Sequence, residues 1–215
     1  MRIKTVHVKD CQSHQYPENG FFVHHRYVLE NEYEDGSRSR TYKTEFFDRK
    51  GIDCVAVIPY RLSTGRVEIG ILRAFRPCMY LRKDRDLAVP EERRYWMYES
   101  VAGSLETGDR GEESIFRRAA SELEEETGFV VPPSELQPLG SGFFPSHGQC
   151  TEKTHLFAVD VTGLTPGRAA GDGSVNEELN ELVFMERDQL MRMCFHGDVE
   201  DPKIEIGLNR LDHVL

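Results

Sequence analysis

Four carboxylates fall within five residues at Glu122, Glu124, Glu125 and Glu126, inside the run Ser121 to Phe129. On an α-helix, at ~100° per residue, Glu122, Glu125 and Glu126 share about a quarter of the circumference. Arg118 lies one turn before Glu122 on the same face, and Phe116, Ala119, Ala120 and Leu123 make an adjacent apolar face able to pack on a sheet. Like charges at spacings of three and four cost a helix a few tenths of a kcal/mol per pair. They also stand at the C-terminal end, where the helix dipole disfavours anions. Two readings account for such a strip: a solvated acidic surface, or a cradle in which a hard divalent cation takes oxygen ligands.

The elements that must hold this strip can be read along the chain. Residues 112–127 have helical composition without proline and end at Gly128, a good C-cap. Cys54 to Tyr60 is dense in β-branched residues and predicts a buried strand, followed by a turn at Ser63-Thr64-Gly65 and a second strand over Val67 to Phe75. Tyr95 to Gly103, the region of Phe143 and Phe144, Thr154 to Val161, and Glu181 to Met185 are further strand candidates. Asp188 to Cys194 and Ile204 to Val214 predict helices separated by Gly197 and Pro202, while 81–94 and 163–175 read as surface loops. Residues 1–51 are β-rich, with a hairpin expected from Phe21–Tyr33 and Arg40–Phe47 around Glu34-Asp35-Gly36-Ser37. So small a hairpin must pack on something else. The expected organisation is an N-terminal β region, 1–51, joined at Gly51 to a domain over 52–215, of α/β (α+β) class with a mixed sheet between helices.

Composition narrows the function. A formal charge of -10 over 215 residues argues against general binding to nucleic acid or anionic membrane. No run of eighteen apolar residues can cross a bilayer. The start MRIKTVHVKD lacks the apolar centre of a signal peptide, which predicts a cytoplasmic protein. Cys11, Cys54, Cys78, Cys150 and Cys194 are odd in number and scattered, as reduced thiols are.

The stretch AGSLETGDRGEESIFRRAASELEEETGF resembles the signature of the Nudix hydrolases. Glu113, seven further residues, and then Ser121 to Phe129 meet every position of that pattern except its arginine, where Ser121 stands. Gly103 matches the opening glycine, with nine rather than five residues before Glu113. LRAFRP (72–77), YESVAG (98–103), FPSHGQCTE (144–152, with His147 in place of a proline) and NEELNEL (176–182) are similar to flanking motifs of the branch that cleaves ADP-ribose and nucleoside diphosphate sugars.

The resemblance implies a Nudix-type α/β/α sandwich hydrolysing a diphosphate with Mg²⁺, or Mn²⁺ as an alternative. It places Glu122, Glu125, Glu126, the Ala102 carbonyl and Glu152 at the metal, and Glu178 as general base, with Glu177 and Glu181 as alternatives. Arg76 and Glu99 are the expected substrate residues, and Glu178, Glu122 and Glu126 the catalytic set; Trp96, by its residue type rather than the resemblance, is a further substrate candidate that could stack on a base, with a core role as the alternative. The same resemblance implies a homodimer built through the N-terminal β region. In that family the arginine of the signature orients the glutamates. Ser121 cannot form the ion pair, so Arg118 becomes the candidate substitute. Two alternatives stand beside this reading: hydrolysis of another nucleoside diphosphate derivative, and a non-catalytic nucleotide-sugar sensor.

Overall fold

The computed structural model describes residues 2–15, 20–171, 173 and 179–215. The chain divides into two compact units, Met1–Asp53 with Phe144–Lys153, and Cys54–Phe143 with Thr154–Leu215.

The first unit is a three-stranded antiparallel sheet in the order β1 (Ile3–Gln15), β2 (Phe22–Tyr33), β3 (Tyr42–Arg49). The β2–β3 hairpin forms where the sequence predicts it. Its turn is closed by Tyr33 N–H on the Ser37 carbonyl at 2.9 Å, with Gly36 at φ +81°. The expected hairpin is nevertheless incomplete, because β1 adds a third strand along the whole of β2, from Ile3 opposite Tyr33 to Gln15 opposite Val23. IKTVHVKDCQSHQ hides this strand. Two register shifts interrupt its alternation, and nearly every residue is exposed, so no apolar period marks it. Within the same unit Phe47 bridges Cys150, and Arg49 pairs with Glu152 at 2.9 Å.

The second unit is built on β4 (Cys54–Ser63), whose first seven residues are all buried. It pairs in parallel with β9 (Thr154–Asp160), and β9 with the two-residue β8 (Gln137–Pro138). On its other edge, β4 forms a hairpin with β5 (Arg66–Ala74) only over 60–63, after which the two strands diverge. The wedge between them is filled by one segment: β6 (Met97–Glu99) pairs with β5 and β7 (Val101–Ser104) pairs with β4. β10 (Glu181–Glu186) covers the far edge of β5.

Helices cover both faces. On one, α2 (Glu112–Thr127) packs Ala119, Ala120 and Leu123 against Val55, Val57, Leu72, Val101 and Phe157. On the other, α3 (Arg187–His196) and α4 (Pro202–Leu211) pack Leu190, Ile204, Leu208 and Leu211 against Ala56, Ile58, Ile69, Ile71 and Leu156. This is the α+β arrangement of a mixed sheet between helices that the sequence predicts.

Three local expectations change. Phe143 makes only an isolated bridge to Thr154 and Phe144 belongs to the first unit, because the chain turns at Ser146, whose carbonyl takes the amides of Gln149 and Cys150. The 81–94 loop is entered through a short helix, α1 (Pro77–Arg82), started by Pro77 at its first position, and is clipped by Arg82 on Glu91 at 3.0 and 3.1 Å. The last helix begins earlier, at Pro202.

Candidate active site

Glu126 is the most buried of the α2 carboxylates, 8% exposed. A buried anion needs donors, and the Ala102 backbone N–H supplies one at 2.9 Å from β7. Glu122, one turn earlier, lies against Gly103. A Cβ on Gly103 would come within 1.9 Å of the Glu122 carboxyl carbon, so the carboxylate occupies the space a side chain would take. Glu125 accepts a hydrogen bond from the Ser121 hydroxyl at 2.6 Å. Ser121 thus orients a glutamate through a neutral donor.

Arg118 is largely buried. It meets Glu106 at 2.9 Å, Asp109 at 3.2 Å and Glu122 at 3.8 Å. Asp109, in the loop before α2, also accepts the Glu106 amide at 2.8 Å, and that bond with the Arg118 guanidinium holds its carboxyl below its ordinary range. Glu106 and Asp109 lie in the extra loop residues before Glu113 and carry no spacing signal in the sequence.

Arg76 ends β5. As the residue before Pro77 it is held extended, at φ -119° and ψ 107°, and its carbonyl caps α1. Its Nε and Nη2 clasp the Glu99 carboxylate at 2.7 to 2.9 Å, leaving the Nη1 edge of the fork uncommitted to Glu99. The Glu99 bond raises the Arg76 pKa against the opposing effect of burial, and the Glu126 charge adds to the rise. Arg76, Glu99, Ala102, Gly103, Glu122 and Glu126 are therefore one neighbourhood at the wedge of the sheet.

The structure does not bring Trp96 into it. Trp96 lies under the Arg73 guanidinium, 4.2 Å from the ring centroid, and Arg73 meets Glu181 at 3.3 Å. Successive strand residues point to opposite faces. Arg73 therefore shares the α3–α4 face with Ile69 and Ile71, whereas its neighbour Leu72 packs toward α2. Glu152 belongs to the first unit, where Arg49 holds it. Glu178 and Glu177 lie outside the described residues.

Among the described residues, no three His, Cys, Asp or Glu side chains converge as a ready cation site. The donor chemistry still suits a hard cation: two carboxylates and a third beside them on one helix face, one seated where only glycine leaves room. Beyond α2, Gly128 takes the left-handed C-cap conformation at φ +76°, and a Cβ there would strike the Gly167 carbonyl at 2.3 Å. Gly167 N–H bonds Gly128 and Gly171 N–H bonds the Glu125 carbonyl, at 2.7 and 3.0 Å. These bonds tie the 162–171 connection to the end of the carboxylate helix.

The sequence matches no family model and no curated protein. Its fold has counterparts among solved structures. An ADP compounds hydrolase aligns over 100% of this chain and 96% of its own, with TM-score 0.62 and 15% identity. An Ap4A hydrolase from C. elegans aligns over 75% of this chain and 96% of its own, with TM-score 0.48 and 11% identity. A NUDIX hydrolase from Listeria monocytogenes aligns over 74% of this chain and 91% of its own, with TM-score 0.45 and 18% identity. The full-length likeness to the first is a likeness of fold, a mixed sheet with helices on both faces.

Proposed function

We propose that this protein is a Nudix pyrophosphohydrolase that uses a divalent cation to cleave the diphosphate of a nucleoside diphosphate derivative. ADP-ribose or a related nucleoside diphosphate sugar is the favoured substrate, giving a nucleoside monophosphate and a sugar phosphate. The observation that carries this reading is the fixed α2 strip: Glu126 on the Ala102 amide, Glu122 against Gly103, and the Arg76–Glu99 fork beside them. The fold likeness to an ADP compounds hydrolase supports the same class of chemistry.

In this reading Glu122, Glu125 and Glu126 hold Mg²⁺, or Mn²⁺, with the Ala102 carbonyl as a further ligand. The cation, when bound, neutralises phosphate oxygens and acidifies a water. Arg76 offers its outer edge to a phosphate while Glu99 keeps the fork oriented. Glu178, in the stretch before β10, takes the proton of the attacking water. Residues 1–51 act as a dimerisation element, and the five free cysteines suit a cytoplasmic setting.

The test is a panel of nucleoside diphosphate sugars assayed with Mg²⁺, for the wild type and Glu126→Gln. Turnover of ADP-ribose or a close analogue that falls at least about 10²-fold in the variant is expected. Ligand binding without turnover of any compound would favour the sensor instead.

A further inference from the structure

Three contacts of the candidate site hang on six residues, 99–104. Glu99 takes the Arg76 fork, the Ala102 amide donates to Glu126, and Gly103 makes the seat for Glu122. In the middle of this segment the ladder changes partner, with Glu99 opposite Leu72 of β5 and Val101 opposite Val57 of β4. Ser100 falls at the changeover, belongs to neither strand and is 2% exposed. A buried backbone N–H needs an acceptor. Ser100 finds it in Asp201, whose Oδ2 lies 2.9 Å from its nitrogen across 101 residues of chain. The Ser100 hydroxyl contributes nothing to this anchor: among the described residues it is buried with no hydrogen-bond partner.

The other Asp201 oxygen is committed to α4. It caps the helix by accepting the Lys203 amide at 2.9 Å and meets the Lys203 ammonium at 2.9 Å. The residue is 8% exposed. One buried carboxylate therefore joins a helix packed on the far face, through Ile204, Leu208 and Leu211, to the backbone of the segment that builds the site on the near face.

We propose that Asp201 is a positioning residue of the candidate site, setting the 99–104 segment so that the Ala102 amide and the Gly103 seat meet Glu126 and Glu122. This inference rests on the hydrolase reading for its effect on turnover and on the hydrogen bonds alone for its effect on the segment. Its sequence signal is modest: Asp before Pro marks a helix start, and nothing local names Ser100 as the second partner.

Asp201→Asn and Asp201→Ser separate the two roles, because Asn and Ser are both good N-caps. Asn turns one oxygen into an N–H₂, leaving one acceptor for two amides, and Ser is too short to span both partners, so neither can hold the α4 cap and the Ser100 amide together. Glu186→Ala is the control, since it removes the same kind of cap, on Asp188 N–H at 3.1 Å, from α3. The wild type and the three variants are compared by hydrogen exchange over 97–104, melting temperature, kcat, KM and the Mg²⁺ concentration for half-activation. Both Asp201 variants should speed exchange across 97–104, lower kcat about 10- to 100-fold and raise the Mg²⁺ midpoint, while Glu186→Ala changes only the melting temperature. Unchanged exchange at 97–104, or Asp201 variants that match Glu186→Ala in every readout, overturns the proposal. If the wild type hydrolyses no diphosphate, the functional reading fails separately, and exchange over 97–104 still decides whether Asp201 anchors the segment.

Discussion

The two units treat the same side-chain chemistry in opposite ways. On the three-stranded sheet, carboxylates meet basic side chains: Glu32 meets Lys4 at 2.7 Å and His7 at 2.9 Å, Glu30 meets Arg38 at 2.7 Å and Lys9 at 3.0 Å, and Glu45 meets Arg26 at 2.6 Å. On α2, Glu126 accepts a backbone amide and Glu125 a hydroxyl, while the Arg118 guanidinium stands 3.8 Å from Glu122. Cross-strand pairs in reach of water cancel charge and contribute little. Neutral donors orient carboxylates without cancelling them. Carboxylates aligned on one helix face are where an added divalent cation gains most, and that is the contrast the proposed function draws between α2 and the β1–β3 network.

The sharpest way to break that contrast is Gly103→Ala. The new methyl would displace the end of the Glu122 side chain, 1.9 Å away, without touching the core. Turnover should fall about 10²-fold, as an ångström-scale misplacement does, while the melting temperature stays near that of the wild type. Full activity in this variant would mean that the Glu122 seat is incidental.

A smaller effect tests the arginine that reaches Glu122. Arg118→Ala removes contacts to Glu106, Asp109 and Glu122 together. Activity at limiting Mg²⁺ should drop about tenfold and recover in part with Lys. If Arg118→Ala behaves as the wild type at every Mg²⁺ concentration, the arginine does not replace the one missing at Ser121.

The smallest effect belongs to the first unit. Hydrogen bonds from Lys4 and then His7 bring the Glu32 carboxyl from its ordinary 4.5 down to about 2. A depressed carboxyl pKa adds stability above the ordinary value and loses it as pH falls toward the folded one. Amide NMR signals of β1 and β2 should therefore weaken between about pH 4.5 and 2, and at higher pH in Lys4→Ala, with no change in activity at pH 7. An acid transition insensitive to Lys4 would show that these pairs are ornamental.

Much of this was legible in order. Helix α2, its Gly128 cap, the buried strand from Cys54 and the two C-terminal helices follow from periodicity, β-branched density and the Gly–Pro breaks, all of which are local. The β1 strand was not, since its burial pattern has no period to read. The residue type of Trp96 suggests stacking on a substrate, whereas its face of the sheet depends on the pairing of β5 with β6.

The sequence by itself determined which carboxylates share a helix face, because 3.6 residues per turn is a property of the backbone. It also determined that Arg76 must be extended, because it precedes a proline. Only the tertiary structure decided what each carboxylate meets. The amide that holds Glu126, the glycine that seats Glu122 and the aspartate that anchors Ser100 come from segments 24, 19 and 101 residues away. Such contacts depend on how two diverging strands leave a wedge and what fills it, and a sequence pattern carries no record of that closure.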